Sequence, residues 1–159
     1  MIFVTVGTTD FDALVEAADR LAAALDEEVV IQIGHGSYEP RHARWFRFAD
    51  SLAPYYDRAS LVISHGGFGT VTEVLRRGLP LVGVSNPDRY DRHQDQILRA
   101  FEEGGHLVWC RNLAELPSAV ERARRTALVP YCPPESRIHE VVRAFLDQTA
   151  QERVRASSV

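Results

Sequence analysis

The sequence predicts an α/β fold, with one doubly wound domain built on a mostly parallel sheet. The first observation is that short apolar runs alternate with longer amphipathic segments along the 159 residues. The second is that these runs are continuously apolar, which is typical of strands buried on both faces of a parallel sheet. The third is that the sequence contains neither internal repeats nor a linker, which indicates one domain of ordinary size.

Six apolar runs are predicted as strands, and most of them end at a glycine or a polar turn. The runs are IFVTV at 2–6, EVVIQIG at 28–34, the short FRF at 46–48, SLVIS at 60–64, PLVGVS at 80–85 and HLVWC at 106–110. The polar residues 35–45, between the second and third runs, are predicted as a loop.

Helices are predicted where apolar residues recur every three or four positions. The clearest spans 11–25, where the recurring apolar residues form one core face. The others are a short helix or turn at 50–59, interrupted by Pro54, and helices at 69–78, 91–105, 113–127 and 137–154. The proline-rich stretch 130–136 connects the last two. We therefore expect a Rossmann-like domain over 1–146, followed by the end of the last helix and a tail at 147–159.

Composition limits the classes of function. The net charge of −4 gives no general attraction to nucleic acid. The only two cysteines, Cys110 and Cys132, have no zinc or redox-motif spacing and are expected to be reduced thiols. No basic signal segment opens the chain, and no run approaches the ~18 apolar residues of a membrane span. We expect a cytoplasmic protein, for which any attachment to a membrane must come from a partner.

Three predicted strands lead into glycine-rich loops, VGTTD, IGHGS and SHGGFGT. In a doubly wound fold, ligands bind where loops leave the carboxyl ends of the strands. A helix begins directly after the third loop, and its exposed N–H groups and dipole favour an anion such as phosphate. The P-loop pattern is absent, and a GxGxxG fingerprint fails because Thr72 stands at its third glycine.

The remaining pattern suits a nucleoside diphosphate. Backbone N–H groups and one hydroxyl for the diphosphate are expected from His65, Gly66, Gly67, Gly69 and Thr70. Glu73 follows one helical turn later, on the same face as Thr70, where a carboxylate can accept both ribose hydroxyls. Two alternatives stay open: Thr70 and Glu73 also form a capping-box pattern, and His65 is equally compatible with an ordinary buried histidine.

A second polar segment, residues 86–96, follows the next predicted strand. His93 and Gln94 within it can hydrogen-bond sugar hydroxyls without a metal. The alternative is a solvated helix start with Asp91 as its N-cap.

The segment SHGGFGTVTEVLRRGLPLVGV, with the later DRHQ, resembles the sugar-nucleotide-binding signature of the C-terminal domain of glycosyltransferase family 28, which has the GT-B fold. Further stretches narrow the resemblance to the small catalytic subunits of two-subunit UDP-N-acetylglucosamine transferases of dolichol-linked oligosaccharide assembly, and to bacterial relatives in exopolysaccharide synthesis. These stretches are MIFVTVGTTDFDALV, VVIQIGHG, FADSLAPYYDRASLVISHGG, EEGGHLVWC and PYCPP. The resemblance extends from Met1 to about Leu146 and implies a domain equivalent to the C-terminal half of a GT-B glycosyltransferase.

The resemblance implies a role for each matching residue. The loop of Gly7, Thr8 and Thr9 is expected to lie against the diphosphate of the donor. The HGG turn is expected to bind the phosphates, and Glu73 the ribose. His65 and Glu73 are also expected to take part in catalysis.

Other residues follow from the same resemblance. Phe48 and Ala49 are expected to line the uracil, and His93 and Gln94 to contact the donor sugar. Arg92 stands where the family usually has asparagine, so the sugar stays open between GlcNAc and a related hexose or uronic acid. His35 is a further candidate for the base.

The implied reaction is the inverting transfer of a sugar from a UDP-sugar to a lipid-diphosphate-linked acceptor, with no metal or other cofactor. The chain matches one half of such an enzyme, so a membrane-anchored subunit is expected to bind the acceptor and supply the base. One face of the last predicted helix either docks that subunit or packs on its own domain; it comprises Ile138, Val141, Val142, Phe145 and Leu146.

Two other functions stay open. One is a non-catalytic UDP-sugar-binding module that regulates a second protein. The other is a UDP-sugar epimerase of similar fold. That family uses acidic residues from both of its halves, so a match to one half alone argues against an epimerase.

Overall fold

The computed structural model describes residues 1–88, 92–133, 142, 143 and 145, and six strands among them form one sheet. The strands are β1 (Ile2–Thr5), β2 (Val29–Gln32), β3 (Arg44–Phe46), β4 (Leu61–His65), β5 (Leu81–Val84) and β6 (Val108–Trp109). Their order across the sheet is β3-β2-β1-β4-β5-β6, and every neighbouring pair is parallel. The predicted doubly wound, Rossmann-like fold is confirmed.

Helices cover both faces of the sheet. They are α1 (Asp12–Ala24), α2 (Ala53–Arg58), α3 (Phe68–Arg76), α4 (His93–Glu103) and α5 (Leu116–Arg125), with a 3-10 turn at Leu113–Glu115. Successive side chains of a strand point to opposite faces. Accordingly Ile2 and Val4 pack in one apolar cluster with α1 and α5, while Phe3 packs in a second cluster with α2, α3 and α4.

The strand order reverses next to β1, and this positions the site. The chain runs outward from β1 to β2 and β3, then returns to place β4 on the other side of β1. Loops leaving β1 and β4 therefore diverge and open a crevice at the carboxyl edge of the sheet. Thr5 is level with Ser64 in the register, so the residues just after it meet His65.

Most elements begin or end within a few residues of their predicted bounds, and two differences have a clear physical reason. The third strand is 44–46 rather than 46–48, because its Phe46 ring packs on Tyr55, with ring centroids 4.4 Å apart, which fixes the register of this edge strand. Pro54 lies in the first turn of α2 rather than interrupting it. A proline is tolerated there because that N–H has no partner within the helix.

Several predicted features lie outside the described residues. They are Asp91, the connector from 134 onward, the tail 147–159, and most of the helix 137–154, including Ile138, Val141 and Leu146. Val142 and Phe145 are described, and both are exposed. In the parts of the chain that the structure describes, no helix has the length and apolar character needed to cross a bilayer.

Candidate functional site

The loop after β1 turns tightly over the end of β4. Gly7 has a φ of +63°, and its N–H donates to Thr5 Oγ1 over 3.0 Å. A β-carbon on Gly7 would lie 3.0 Å from Cε1 of His65, so the loop and the histidine ring are in contact. Thr9 donates its hydroxyl hydrogen to the Val6 carbonyl, while Thr8 is exposed.

His65 is buried beneath the glycine turn. Its side chain is the last of β4 and is 7% exposed. A β-carbon on Gly67 would lie 2.4 Å from its Nε2 atom. The ring therefore fills the space between Gly7 and Gly67 and supports both loops, which agrees with the buried-histidine interpretation, while a part in catalysis stays a prediction.

The start of α3 has no side-chain cap. Its N-cap is Gly67, in an extended conformation, and Val71 N–H is bonded back to the Gly67 carbonyl. The capping-box alternative is wrong, because Thr70 lies inside the helix and not at its N-cap position. A β-carbon on Gly69 would meet no atom within 4 Å, so the surface above this first turn is open.

Glu73 lies on α3, about half exposed, and its carboxylate is turned toward Arg77. The Arg77 guanidinium is 3.4 Å from Glu73 and 3.2 Å from Asp57 of α2, and it covers the Tyr56 ring at 5.0 Å. Burial, with a smaller contribution from the charge of Glu73, raises the pKa of Tyr56 to about 12. Contact with a ribose would require the Glu73 carboxylate to leave Arg77.

The start of α4 packs directly on the glycine turn. A β-carbon on Gly66 would lie 2.9 Å from Cβ of Gln94, so only glycine lets α4 approach this closely. The Gln94 Oε1 atom accepts a hydrogen bond of 2.9 Å from the Asn86 N–H. His93 is exposed beside it. A hydrogen bond from Ser85 lowers the pKa of Asp95 in the same turn, so the carboxylate is charged at neutral pH.

The expected uracil contacts lie on the other side of β1. Phe48 follows β3 and is 49% exposed, next to exposed Ala49. The His35 ring lies against Phe48, with ring centroids 4.9 Å apart. The structure thus places His35 beside the candidate uracil contact and across β1 from His93 and Gln94, which is unfavourable for a base acting at the sugar.

The carboxyl edge therefore brings together the three glycine-rich loops and the start of α4. Gly34 must be glycine, because a β-carbon there would lie 2.4 Å from the Thr9 carbonyl oxygen, and His35 N–H also bonds that oxygen. Of the predicted site residues, Glu73 has its carboxylate paired with Arg77, one helical turn further along α3.

Three polar residues that tie loops of the domain together were not predicted from sequence. Asp12 accepts hydrogen bonds from the N–H groups of Ser37 and Tyr38. It also completes an Asp-x-Asp spacing with Asp10, a pattern associated with metal-held diphosphates, but these bonds commit its carboxylate to the β2 loop. Among the described residues, no group of three or more His, Cys, Asp or Glu side chains is arranged to hold a metal.

Asp19 and Asn86 are the other two. Asp19, 1% exposed on the core face of α1, accepts from the Tyr38 hydroxyl and from backbone N–H groups of Arg41, His42 and Ala43. Asn86 links the loops after β1 and β5. A lone carboxylate in an otherwise apolar helix face is the signal that could have identified Asp19.

The sequence matches the glycosyltransferase family 28 C-terminal domain over residues 1–149. The UDP-N-acetylglucosamine transferase subunit ALG13 of Eremothecium gossypii is 42% identical over 133 residues, which cover 78% of this chain and 63% of that protein. The mouse protein of the same name is 36% identical over 121 residues, 68% of this chain and 10% of that protein. The chain thus spans less than two thirds of the length of each of these two relatives.

Solved structures share the fold. MurG of Acinetobacter baumannii superposes with a TM-score of 0.60 at 22% identity, over 80% of this chain and 45% of MurG. The solution structure of ALG13 superposes with a TM-score of 0.58 at 23% identity, over 85% of this chain and 90% of that one.

Proposed function

The chain belongs to the glycosyltransferase family 28 C-terminal domain family, and from that premise we propose that it is the donor-binding subunit of an inverting glycosyltransferase that uses a UDP-sugar. The donor sugar is GlcNAc or a related hexose or uronic acid. The acceptor is a lipid-linked diphosphate, held by a membrane-anchored partner. The relatives named above are transferase subunits by name, which supports a divided enzyme.

The observation that carries the proposal is the start of α3 at the strand-order reversal. Three helices described here begin at this edge next to the glycine loops. Two of them, α1 and α4, carry an acidic residue in the first turn, Asp12 and Asp95. The first turn of α3 contains no acidic residue and its N-cap has no side chain. Its N–H groups and dipole are therefore available to an anion, for which the open surface above Gly69 leaves space.

This arrangement suits the chemistry of transfer. Cleavage of the bond between the anomeric carbon and the diphosphate leaves negative charge on UDP. The N–H groups at the start of α3 are in place before the reaction, so they stabilise that charge as it develops. The acceptor hydroxyl attacks the anomeric carbon from the opposite side, which inverts the configuration, and loses its proton to a base that we assign to the partner.

The nucleoside and the sugar extend in opposite directions from the diphosphate. Phe48 and Ala49 lie toward β3, where they would line the uracil, while His93 and Gln94 lie toward β5, where they would contact the sugar. To bind the ribose, the Glu73 carboxylate would leave Arg77 and accept hydrogen bonds from the ribose hydroxyls. We propose that no metal is needed, because the α3 start supplies the positive potential that a cation would otherwise supply.

A transfer assay tests the function. Radiolabelled UDP-GlcNAc is incubated in the presence of EDTA with the purified chain, with membranes, or with both. The membranes come from the encoding organism after deletion of the gene for this chain. We expect lipid-extractable label only in the combination, and binding of UDP by the chain alone. Transfer of label to lipid by the chain without membranes would contradict the need for a partner. Membranes that gain no activity from a chain that binds UDP would favour the non-catalytic module.

A further inference from the structure

Asn86 joins three segments of the carboxyl edge. Its side-chain Nδ2 donates to the Asp10 carbonyl over 3.3 Å, which links the β5 loop to the β1 loop across 76 positions of sequence. Its Oδ1 accepts from Asp88 N–H over 3.0 Å and so fixes the turn of its own loop. Its backbone N–H donates to Gln94 Oε1 over 2.9 Å, which links the loop to α4.

The bond to Gln94 sets which end of that amide faces the cleft. A backbone N–H can only donate, so the partner atom on Gln94 must be the amide oxygen. The Nε2 group, with its two donor hydrogens, is then the end of the amide that remains for a ligand. A sugar substituent in contact with Gln94 must therefore accept, as a hydroxyl oxygen, an acetamido carbonyl or a carboxylate oxygen does.

We propose that Asn86 is a positioning residue for the donor sugar, an inference that rests on the proposed donor site. Its side chain holds the β5 loop so that the backbone N–H meets Gln94 and fixes the polarity of the Gln94 amide. The same side chain holds the sugar end of the cleft against the β1 loop, which faces the diphosphate. Asn86 acts through Gln94 and does not itself contact the diphosphate.

The packing around Gln94 makes this orientation matter. The first turn of α4 rests on Gly66, with Gln94 Cβ against the glycine, so α4 is anchored at that point to the glycine turn that precedes α3. Its amide end is fixed by the Asn86 loop. When that loop loosens, Gln94 keeps its place but its amide becomes able to rotate. The contact with the sugar should weaken while the contact with the diphosphate persists.

Two substitutions at Asn86 and one elsewhere separate these effects. Asn86→Ala removes both side-chain bonds. Asn86→Ser keeps a hydroxyl that can accept from Asp88 N–H but is too short to reach Asp10. Asn112→Ala is the matched control. Asn112 lies in the loop after β6, and its Oδ1 accepts from Ala114 N–H over 3.0 Å, the same kind of bond to the residue two positions on that Asn86 makes to Asp88.

Calorimetry measures the dissociation constants for UDP and for UDP-GlcNAc, and their ratio reports the sugar contact alone. In Asn86→Ala and Asn86→Ser the ratio of the UDP-GlcNAc constant to the UDP constant should rise about threefold to tenfold. The constant for UDP should change less than about twofold, and Asn112→Ala should leave the ratio unchanged. An NMR measurement on the ligand-free protein should show that hydrogen exchange at the Asn86 amide accelerates in Gln94→Ala.

The outcomes are distinct. If wild-type protein binds UDP but the ratio in the Asn86 variants equals that in Asn112→Ala, the positioning role is wrong and the proposed function stands. The same conclusion follows if both constants rise together with a loss of thermal stability, because that is a structural effect. If wild-type protein does not bind UDP, the proposed function fails and the inference fails with it, whatever the Asn86 amide shows.

Discussion

Replacing Glu73 with glutamine should weaken UDP binding strongly while leaving the fold nearly unchanged. In the ligand-free structure the Glu73 carboxylate has a 3.4 Å ion pair with Arg77 on the same helix, four residues on. Pairs of this kind at a solvent-exposed surface contribute about 0.3–0.5 kcal/mol to stability. The capping bond that would have added about 1 kcal/mol is absent, since α3 begins at Phe68 and Gly67 is its N-cap.

The binding loss is set by what the carboxylate would do in the complex. Two charge-assisted hydrogen bonds from the ribose hydroxyls become two neutral bonds in the glutamine variant, and one of them must reverse its direction because the amide Nε2 can only donate. The expected cost is on the order of 2–4 kcal/mol of binding free energy, which is a factor of about 30 to 1,000 in the dissociation constant. Glu73 gives up only the weak pair with Arg77 when it turns to the ribose, so this gain is not cancelled.

Arg77→Met supplies the matched control. Methionine removes the partner of Glu73 but keeps an apolar side chain over the Tyr56 ring, where the guanidinium now lies at 5.0 Å. If Glu73 binds ribose, UDP affinity should hold or improve slightly in Arg77→Met and fall in Glu73→Gln. Calorimetric titration and thermal unfolding of both variants make the comparison. Unchanged UDP affinity in Glu73→Gln, measured on a protein that binds UDP, would refute the ribose assignment.

Three further predictions follow from the packing and charge of the described residues. Gly67→Ala should lower the free energy of unfolding by about 1–3 kcal/mol, because its methyl group would lie 2.4 Å from the His65 ring. Gly69→Ala, whose methyl group would meet no atom within 4 Å, should be neutral or stabilising. Denaturant titrations measure both variants. Asp19→Asn should cost on the order of 2–3 kcal/mol at pH 7, because an amide group would face several N–H donors; an unchanged urea midpoint would contradict this. Burial by itself would raise the pKa of Asp19, but the backbone and Tyr38 hydrogen bonds outweigh it and lower the pKa. The stability Asp19 provides is therefore complete above its unfolded pKa of about 3.9 and lost as pH falls through the lower folded value, so the difference between wild type and Asp19→Asn should shrink below about pH 4 in urea titrations.

The sheet and its helices were predictable because their signals are local. The continuous apolar runs of β1, β2, β4 and β5 correspond to strands in which every residue is buried. Apolar spacing likewise located α1. The edge strand β3 was displaced by two residues in the prediction, because its position depends on Phe46 packing against Tyr55 from another element, and its own three residues carry no periodic pattern.

The loops that form the site could be predicted from the sequence, but the hydrogen bonds and ion pairs between its segments could not. Glycines at 7, 34 and 66 mark close approaches that a sequence can suggest. A β-carbon at 34 or 66 would lie less than 3.0 Å from a neighbouring atom, and Gly7 has a φ of +63° that favours glycine. The direction of Glu73 could not be foreseen, since it depends on Arg77 and on α2. Asn86 and Asp19 were missed because their partners lie 76 and 19–24 positions away in sequence, and such distances become contacts only after folding.

The proposed donor site can be tested by residue-resolved NMR of the ligand-free chain titrated with UDP in the presence of EDTA. We expect the largest amide shifts at Gly7 and across 66–70, at the start of α3, with smaller shifts near Phe48. Addition of UDP-GlcNAc in place of UDP should extend the shifts to Gln94. Shifts confined to another surface, such as the groove lined by Leu21 of α1 and Val120 of α5, would contradict the donor site and the function built on it. The absence of shifts at millimolar UDP would contradict them as well.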